Sequence, residues 1–585
     1  MADRTLGWIQ NPSDTLMLHR VVSLFDPHSD FTQIYLTQRI PLIAALGKLH
    51  DRGVWETYIS AVRSGGPMPY ASLKGKGCGS GSRANALCSG ILQAAIDAQK
   101  KITFVADGAE TTIKKPYTDD WTADGFLRWA ISIGFVAYDS TSDECSITEL
   151  GRRFVATVPG SDDFKVVLGE AYLMYPPACR IMSLLSRGEH LTKFEIGKRL
   201  GFTTEAGFTS YPQNIFVQSL IDNPENRSDI MSNYEGSSDK YARMICSWLA
   251  EIGWVQSAPK EVVEHIGRNE YTCTLTGYSL TAEGIKNLKR ATGKSRVRKL
   301  PKIVYFEMLS TKASDRSYLR MRRALILDYL HGHTRSYDAI LHHLSEHGFT
   351  DEIGVVKDDI AGFVNIGLNV TETAGNVTLA DKLICLEIPC NKKLEEKSEV
   401  LLVKERVRSK LRALDPTYLR LVDLAYDGTA DREFEISTID LFTNELDFEG
   451  KHLGGSRKPD GIIYRDCNGL LIDNKAYSKG YALPRAQVDE MGRYVRENKN
   501  RNAAINPLKW WENFPNSVTE FNFAFISSFF TGQYAERLSE IYHEYGVKGG
   551  VIDVENLLYI AEGLKSGELS YSEFFGLFDN SQILF

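Results

Sequence analysis

The sequence predicts a multidomain chain in which three winged-helix-like α(+β) subdomains precede a separate α/β domain. Three observations lead to this prediction. A chain of 585 residues is too long for one hydrophobic core and favours about three to five domains. A helix followed by a β-hairpin recurs three times in the first two-thirds of the sequence. The last third carries two apolar strands; the dipeptide PD opens the first, and the tripeptide DNK ends the second.

The composition is that of a globular protein, with 43% hydrophobic and 11% aromatic residues. The sequence has no apolar run long enough to span a bilayer and no signal-peptide-like stretch at its N-terminus, so we expect no membrane partner. Nine cysteines are scattered without a CxxC pair, which argues against structural zinc. Their odd number without a disulfide pattern predicts a reducing, cytoplasmic location.

Charge is unevenly distributed along the chain. The net charge of −7 alone argues mildly against nucleic acid. One segment, 286–302, is rich in cations and contains no acid, and it is interpreted as either a solvated linker or a strip that contacts phosphates. Its cations are Lys286, Lys289, Arg290, Lys294, Arg296, Arg298, Lys299 and Lys302.

The repeated unit is an amphipathic helix that ends at a glycine, followed by two strands that alternate like a half-buried hairpin. The three copies span 126–151, 241–284 and 359–381, and the second has a longer insertion between its strands. A helix followed by a hairpin is the C-terminal half of a winged helix. The glycines expected to end the helices in a left-handed conformation are Gly134, Gly253 and Gly367.

These copies predict subdomains at residues 1–160, 161–300 and 301–388. Amphipathic helices at Leu191–Leu200 and Tyr337–His347 are candidates for the helix-turn-helix halves of the second and third. We expect the first two subdomains to bind DNA, because the basic strip lies beside them. The third is acidic and is expected to contact protein; its acids are Asp358, Asp359, Glu372 and Asp381. The alternative is that all three modules serve packing or protein contacts.

Two side chains in the first subdomain are candidates for base contacts. Trp121 precedes the first repeated helix and either touches a thymine methyl group or packs against the core at the helix entry. Arg83 lies in a Gly- and Ser-rich loop and either reads a guanine edge or is an ordinary surface arginine.

The composition of the sequence changes near residue 389, where charged residues become frequent. A charged segment predicts a linker at 389–400, and a new domain at 401–585. In this domain Asp460 opens one strand, a polar turn follows, and Asp473, Asn474 and Lys475 end the next strand. Side chains alternate along a strand, so Asp473 and Lys475 share a face, and the hairpin brings Asp460 close to them.

This arrangement predicts Mg²⁺-dependent phosphodiester hydrolysis, with Mn²⁺ able to substitute. Asp460 and Asp473 are expected to hold the cation together with the backbone carbonyl of Asn474, while Lys475 orients or deprotonates water or stabilises developing charge. Glu435, on a predicted helix at 431–446, is the best candidate for an additional acid, in competition with Glu433 and Asp440. The motif is loose, and the alternative is a surface hairpin with ordinary charges.

A helix with proline near its start follows the hairpin. Asp489 and Arg493 are four residues apart on it and therefore share a face. They form either a local surface pair or a self-complementary patch in which Asp489 of one copy meets Arg493 of another. Self-association matters because one nuclease site cuts one strand.

The segments GKHLGGSRKPDG, QVDEMGRYV, INPLKWWENFP, HLTKFEIGKRLGF and YEGSSDKYARMI resemble the FokI-like type IIS restriction endonucleases, and the resemblance spans nearly the whole chain. It implies a PD-(D/E)xK nuclease domain that cuts double-stranded DNA at a fixed distance, about one helical turn, from a short asymmetric site. It implies Asp460, Asp473 and Lys475 as catalytic residues and Asp489 and Arg493 as dimer residues. The base-reading positions that it implies are Gln10, Asn11, Arg83, Trp121, Glu235, Lys240 and Arg243.

The resemblance also implies that the third subdomain holds the nuclease domain in reserve. The chain departs from the family pattern at Asn474, Gly492 and Ser232, where relatives have Thr, Gln and Asn. The retained base-reading residues favour the site GGATG, while Ser232 leaves the exact site open. The distance to the cut depends on linker geometry.

We therefore predict a type IIS restriction endonuclease. Three alternatives stay open at this point. A nicking enzyme of the same lineage would self-associate poorly, and a winged-helix regulator would not hydrolyse DNA. A transposase-like or repair nuclease would prefer ends or branched DNA.

Overall fold

The computed structural model describes the chain except for a few short segments. The described ranges are 4–10, 12–77, 87–106, 109–266, 269–292, 300–311, 315–389 and 396–585. Asn11 and Arg83, two of the expected base-reading residues, lie outside the described residues. So do 293–299 of the basic strip and 390–395 of the predicted linker.

The first subdomain is mainly helical. Its helices are Thr15–Ser23, Asp30–Ile34, Ile40–Ala45, Arg52–Ser64, Tyr70–Lys74, Asp120–Ser132 and Glu149–Val155. Its strands are Met68–Pro69, Lys101–Ala106, Ala109–Lys114, Val136–Asp139 and Glu144–Ile147.

The second and third subdomains repeat the mixture of short helices and a hairpin. The helices of the second are Asp162–Met174, Pro176–Leu185, Lys193–Gly197, Gln213–Asp222, Arg227–Asn233, Ser237–Glu251 and Ala282–Ala291, and its strands are Leu191–Thr192, Val255–Ile266 and Asn269–Leu280. The helices of the third are Arg316–Leu330, Tyr337–Glu346 and Ile353–Ile366, and its strands are Lys302–Ile303, Thr334–Ser336, Val370–Thr373, Asn376–Leu379 and Leu383–Ile384.

Each subdomain closes a three-stranded antiparallel sheet in the same way. In each sheet the second strand of the hairpin lies in the middle. It pairs on one side with the first strand of the hairpin and on the other with a short strand that directly precedes a helix. This common arrangement confirms the predicted winged-helix-like repeat. It also locates the helix Tyr70–Lys74, which corresponds in the first subdomain to the helix-turn-helix candidates of the other two.

The predicted glycine caps are confirmed. Gly134, Gly253 and Gly367 follow their helices with φ of 80°, 77° and 103°, in the region that favours glycine. Each glycine therefore turns the chain from the helix into the first strand of its hairpin.

Two expectations for the second subdomain are wrong in detail. The insertion expected between its strands is part of the hairpin itself, because Val255–Ile266 and Asn269–Leu280 pair along their whole length. The helix expected over Leu191–Leu200 is shorter. Leu191 and Thr192 pair with the hairpin as a strand, and the Thr192 hydroxyl then accepts a hydrogen bond from the Glu195 N–H and caps a helix that ends at Gly197.

Of the basic strip, the structure describes residues 286–292 and 300–302, and the side chain of Lys302 does not face solvent. Lys302 is 1% exposed, and its ammonium group donates to the carbonyl oxygen of Leu173. Lys286 pairs at the surface with Glu283 of its own helix. A phosphate-contacting role is therefore wrong for Lys302, because its side chain points into the junction between the second and third subdomains.

The three subdomains share one apolar core rather than three separate cores. Trp8 shows how they are joined. Its ring packs edge-on against Phe208 at 4.7 Å between centroids and lies 5.2 Å from Tyr241, both in the second subdomain. Its Nε1–H donates to the Met308 carbonyl oxygen, at 3.0 Å, at the start of the third. One aromatic residue thus ties the N-terminal segment to both later subdomains.

The C-terminal domain is an α/β domain built on a six-stranded sheet whose strands lie in chain order. The first three strands are antiparallel, and the remaining pairs are parallel. Its strands are Glu449–His452, Gly461–Arg465, Asn468–Lys475, Glu520–Ser527, Gly549–Asp553 and Ser581–Gln582. Its helices are Glu399–Lys410, Arg420–Tyr426, Asp431–Asp440, Arg485–Asn500, Tyr534–Tyr545, Val554–Ser566 and Tyr571–Gly576.

The predicted helix at 431–446 is α-helical to Asp440 and continues as one wider turn over Leu441–Glu445. Across the part of the chain that the structure describes, no helix combines the length and apolar character needed to cross a membrane.

Candidate active site and DNA-reading surfaces

The active-site candidates meet at one end of the central hairpin. Gly461 pairs with Ile472, so Asp460 and Asp473 stand opposite each other just beyond this pair. The Asn474 N–H donates to Asp460 Oδ2 at 2.7 Å, and Lys475 Nζ donates to Asp473 Oδ1 at 2.9 Å. The structure therefore brings together the two carboxylates and the lysine of the motif.

The strand that carries Asp473 is central in the sheet, and its apolar residues are fully buried. Asp473 itself is only 5% exposed. Asn474 points to the opposite face, as expected, where its side-chain amide donates to the Thr438 hydroxyl at 2.8 Å. A charged carboxylate at a buried strand end is costly without a compensating cation, which sets this hairpin apart from one with ordinary surface charges.

The electrostatics of the site show crowding of negative charge. Burial raises the pKa of Asp460 well above its ordinary value, and the nearby carboxylates of Asp473 and Glu435 raise it further. Burial also raises the pKa of Asp473, although Lys475 opposes the shift. For Lys475, burial alone would lower the pKa, but the Asp473 and Asp460 carboxylates outweigh it and raise the pKa above its usual value.

Of the three candidate acids on helix Asp431–Asp440, Glu435 is the one that lies at this site. Its carboxylate lies 3.1 Å from His452 Nε2 and is close enough to raise the pKa of Asp460. Glu433 instead lines a cleft against the second subdomain. Asp440 pairs with Arg420 at 3.4 Å.

The donor set suits a hydrated divalent cation. Within the described ranges, no three acidic, histidine or cysteine side chains converge into a complete metal site. A cation at Asp460 and Asp473 would therefore keep several waters, which is the usual behaviour of Mg²⁺.

Sequence reasoning missed two residues beside this site. His452 is almost buried and holds Glu435, and its only sequence signal was its place just before the glycines that lead to Asp460. Glu490 lies on helix Arg485–Asn500 and adds to the raised pKa of Asp473, after the larger effect of burial. No sequence spacing pointed to that electrostatic influence.

Three of the expected base-reading residues cluster at the start of helix Ser237–Glu251. Glu235 accepts hydrogen bonds from Arg243, at 2.8 and 3.1 Å, and from Lys193. Lys240 lies with Glu235 along the cleft that faces the nuclease domain. Ser232, the departure from the family pattern, lines the same cavity as Glu235 and Arg243.

This helix start is fixed by a buried residue that sequence reasoning did not single out. Asp239 accepts hydrogen bonds from the N–H groups of Gly236 and Tyr211, at 2.9 and 2.7 Å, and from the Ser210 hydroxyl at 2.5 Å. Burial raises the pKa of Asp239 to about 6, against these hydrogen bonds. Its sequence signal was an acid at N3, three residues after the N-cap Gly236 in GSSD, where the side chain can accept from the N-cap N–H.

Gln10 and Trp121 come together in the first subdomain. They line one cavity with Arg128 and Tyr241. Trp121 is 55% exposed, so it does not act as a buried packing residue at the helix entry. Its exposure favours the DNA-contact interpretation over the packing one.

Asp489 and Arg493 lie on one helix but do not pair with each other. Asp489 accepts from Arg485 Nε at 3.1 Å. Arg493 donates to Glu490 at 3.0 Å. Asp489 and its partner Arg485 are well exposed, with 63% and 60% of their side chains accessible, so this end of the helix presents charge to solvent.

The acidic third subdomain contacts the first helix of the nuclease domain. Asp358 accepts from Arg408 at 2.8 and 3.1 Å. Asp359 is instead internal and holds Arg322 and Arg323, each at 2.7 Å. Glu372 accepts from the Tyr337 hydroxyl, and Asp381 accepts from the Asn369 N–H.

The chain combines three winged-helix-like subdomains with an α/β domain whose sheet carries two carboxylates and a lysine at one edge. This combination is typical of restriction endonucleases that have separate recognition and cleavage domains. Family models of the FokI recognition domain match subdomain 1 at residues 4–157 and subdomain 2 at 165–296. Models of the FokI D3 domain and cleavage domain match residues 309–375 and 397–584.

Full-length comparisons agree with these matches. The type II restriction enzyme FokI of Planomicrobium okeanokoites is 38% identical over 592 residues, covering 100% of this chain and 99% of FokI. The type II restriction enzyme StsI of Streptococcus sanguinis is 33% identical over 78% of each chain. Solved structures of FokI, alone and bound to DNA, cover 100% of both chains with TM-scores of 0.89 and 0.90. The chain belongs to the FokI family of type II restriction enzymes.

Proposed function

We propose that this restriction endonuclease binds a short asymmetric duplex site, GGATG, and cuts both strands at a fixed distance from it, as a type IIS enzyme. The observation that carries the proposal is the convergence of Asp460, Asp473 and Lys475, with Glu435 beside them, at one edge of the sheet. The solved structure of FokI bound to DNA, similar over the whole chain, supports DNA as the partner.

Asp460 and Asp473 would hold Mg²⁺, or Mn²⁺ in its place, with the Asn474 carbonyl as a third ligand. The cation supplies charge neutralisation on the phosphate and a more acidic water. Burial is the main reason that the pKa values of both carboxyl groups are raised, and a bound cation would offset the cost of keeping the two groups ionised there. Glu435 and His452 would position the outer waters.

Lys475 acts in this proposal as a cation rather than a base. Its pKa is raised by Asp473 and Asp460 against the effect of burial, so the ammonium form persists at neutral pH. Its ammonium group would orient the attacking water and stabilise the charge that develops on the phosphate oxygens. Deprotonation of the water by Lys475, left open by the sequence, is disfavoured.

Base reading is assigned to the exposed Trp121 with Gln10 in the first subdomain, and to Glu235, Lys240 and Arg243 in the second. The ion pairs of Glu235 hold Arg243 at the helix start, where a planar guanidinium could meet a guanine edge. Asn11 and Arg83 remain assigned on the family resemblance alone.

Double-strand cutting would require a transient pair of nuclease domains, joined through Asp489 of one and Arg493 of the other. Strand-specific nicking is a second candidate, and one observation favours it. Both residues already have partners within the chain, so the pair between copies must compete with Arg485 and Glu490.

The test is digestion of plasmid DNA with Mg²⁺, with Asp460→Ala as control and with the ends mapped by sequencing. We expect discrete ends on both strands at one offset from one motif, absent in the variant. Cuts confined to one strand at every protein concentration would favour the nicking enzyme. Intact DNA with both Mg²⁺ and Mn²⁺ would contradict the proposal.

A further inference from the structure

The edge of the nuclease sheet that carries the proposed catalytic residues is also the edge at which two parallel strands end. Strands Asn468–Lys475 and Glu520–Ser527 pair up to their last residues, with Lys475 opposite Ser527. The segments that follow both strands therefore begin beside Asp473 and Lys475. In open α/β sheets, ligands bind beyond the carboxyl ends of the strands, so these segments lie where a substrate would arrive.

Each of the two segments presents a large aromatic side chain to solvent. Tyr477 is 50% exposed and Phe529 is 36% exposed. Lys479 is exposed as well, two residues after Tyr477, in what we call the strand-end loop, residues 477–480. Among the residues that the structure describes, neither the Tyr477 hydroxyl nor the Lys479 ammonium group has a hydrogen-bond or ion-pair partner, so both groups are available to a ligand.

The backbone of the strand-end loop is held in place by hydrogen bonds on both sides. The Tyr477 N–H donates to the Ala425 carbonyl oxygen at 2.8 Å, and the Tyr477 carbonyl oxygen accepts from the Ser528 hydroxyl. The Tyr481 N–H donates to the Phe529 carbonyl oxygen at 2.8 Å. The loop therefore holds its exposed groups in position before a ligand arrives, which lowers the entropy cost of binding.

The two exposed rings are also supported by packing within the domain. The ring of Tyr477 lies 5.2 Å from that of Tyr481, which is only 4% exposed. The ring of Phe529 lies directly against Gly480, where a Cβ atom would come within 2.4 Å of it and where the φ of 79° favours glycine. The exposed part of each ring thus remains a fixed apolar surface beside the active site.

The chemistry of this surface fits the backbone of DNA. That backbone alternates deoxyribose, which offers apolar contacts, with anionic phosphate, and lysine and tyrosine side chains contact it without reading sequence. The loop begins two residues after Lys475, a distance of at most about 7 Å along the chain. A strand whose phosphate lies at Asp473 and Lys475 therefore also passes the loop.

We propose that the strand-end loop positions the DNA strand for cleavage: the Tyr477 ring packs against a deoxyribose, and the Lys479 ammonium group binds a phosphate close to the one that is cut. Phe529 supplies a second apolar contact. This inference rests on the proposed function, because it requires phosphodiester cleavage at this edge. The contacts are made to the backbone alone, so they act at the cut position and leave binding to the recognition site unchanged.

The first experiment measures single-turnover cleavage by the full chain on a site-containing duplex with Mg²⁺. Tyr477→Ala and Lys479→Gln should each slow cleavage about 10-fold, because a misplaced phosphate reacts slowly. Affinity for the site, measured without Mg²⁺, should equal that of the wild type in both variants. Lys479→Arg should keep most of the cleavage rate because it retains the cation, whereas a purely structural role for Lys479 predicts no such rescue.

The matched control is Lys548→Gln. Lys548 is also exposed, but it precedes strand Gly549–Asp553 and therefore lies at the opposite end of the sheet. This variant should cleave like the wild type. Cleavage at the wild-type rate by both Tyr477→Ala and Lys479→Gln would overturn the inference and leave the proposed function standing, whereas a wild type that leaves the duplex intact would overturn both.

A second experiment tests the phosphate contact itself. Single phosphates on either side of the cut are replaced by neutral methylphosphonates, one in each duplex. At one position the wild type should lose about 10-fold in rate while Lys479→Gln loses little more, because its contact is already absent. Losses that multiply at every position would show that Lys479 binds none of these phosphates.

Discussion

At the residue scale, the active site concentrates negative charge in a place that water does not fully reach. The pKa of Asp460 is raised by burial and by its neighbours Asp473 and Glu435. Such a site costs folding free energy when no cation is bound, as functional sites commonly do. Neutralising these carboxylates, by substitution or by lowering the pH, should therefore raise the free energy of unfolding of the metal-free protein.

The first prediction concerns Asp460→Asn measured without divalent metal. A neutral amide keeps an acceptor for the Asn474 N–H but removes the repulsion, so we expect a gain of about 1 kcal/mol in unfolding free energy, or about 2–4 °C in the Tm of the nuclease domain. Calorimetry in EDTA measures this gain. Mg²⁺ should raise the Tm of the wild type but not that of the variant. A lower Tm for Asp460→Asn in EDTA would contradict the electrostatic argument.

The second prediction is the pH dependence of the metal-free protein. The pKa values of Asp460 and Asp473 are raised in the folded state. Their contribution to stability is therefore complete below the unfolded carboxyl pKa, about 3.9, and is lost as pH rises through the raised folded values. We expect the stability difference between Asp460→Asn and the wild type to grow over that interval. Mn²⁺ affinity should increase in the same direction, because protons and cation compete.

The third prediction separates Glu435 from its neighbour Glu433. Glu435→Gln should weaken Mg²⁺-dependent cleavage by about 10–100-fold, because Glu435 and His452 lie beside Asp460. Glu433→Gln is a matched control on the same helix, facing the cleft against the second subdomain, and should cleave normally. Single-turnover rates on a site-containing duplex decide the question, and equal losses in the two variants would remove the special role of Glu435.

At the element scale, the start of helix Ser237–Glu251 depends on one buried acid. Asp239→Ala would leave the N–H groups of Gly236 and Tyr211 and the Ser210 hydroxyl without their acceptor, at a cost of about 2–3 kcal/mol. We expect a lower Tm and weaker binding to the site duplex, since Glu235 and Lys240 flank this position. Asp239→Asn should retain part of both. Normal site affinity in a folded Asp239→Ala variant would show that this helix start does not set recognition.

Helix Arg485–Asn500, which carries the proposed dimer residues, gives the fifth prediction. Asp489→Arg and Arg493→Asp should each abolish double-strand cutting while leaving site binding intact, because each places like charges opposite each other in a self-complementary pair. An equimolar mixture of the two variants should restore cutting on plasmid DNA. Failure of the mixture, with each variant folded and binding its site, would place the contact between copies elsewhere.

The elements that sequence predicted best are those whose partners are close in sequence. Asp460 and Asp473 meet across a hairpin, and each repeated helix passes through one glycine into its own strands. The approach of Glu490 to Asp473 could not be predicted, because the packing of a helix on a sheet depends on side chains from several distant segments. Lys302 was misjudged for the same reason, since a cation that is solvated in isolation becomes buried when two subdomains close over it.

At the scale of the whole molecule, the nuclease domain rests on two subdomains. Arg408 donates to Asp358 of the third subdomain. The second subdomain adds contacts beside the active site: Lys451 pairs with Asp222 at 2.6 Å, and Arg432 lies 4.1 Å from the ring of Tyr234. The edge that carries the proposed catalytic residues therefore faces the subdomain that would read DNA.

The nuclease domain forms ion pairs with both the second and the third subdomain, so we expect that removing these ion pairs will release it. The double variant Asp358→Asn with Asp222→Asn should increase cleavage of DNA without a site and open the chain to proteases near residues 390–400. The first effect is measured on plasmid lacking the motif, and the second by limited proteolysis. Asp229→Asn, an exposed change in the same subdomain as Asp222, serves as control. Unchanged site-free cleavage would mean that these ion pairs do not restrain the domain.

The hydrogen bond between Trp8 and Met308 also limits the order in which the chain can fold during its synthesis. Its indole bonds to Met308, so the N-terminal segment cannot reach its final packing until some three hundred later residues have left the ribosome. The nuclease domain is translated after that point. The recognition subdomains, on which the nuclease domain rests, are therefore translated before the nuclease domain itself.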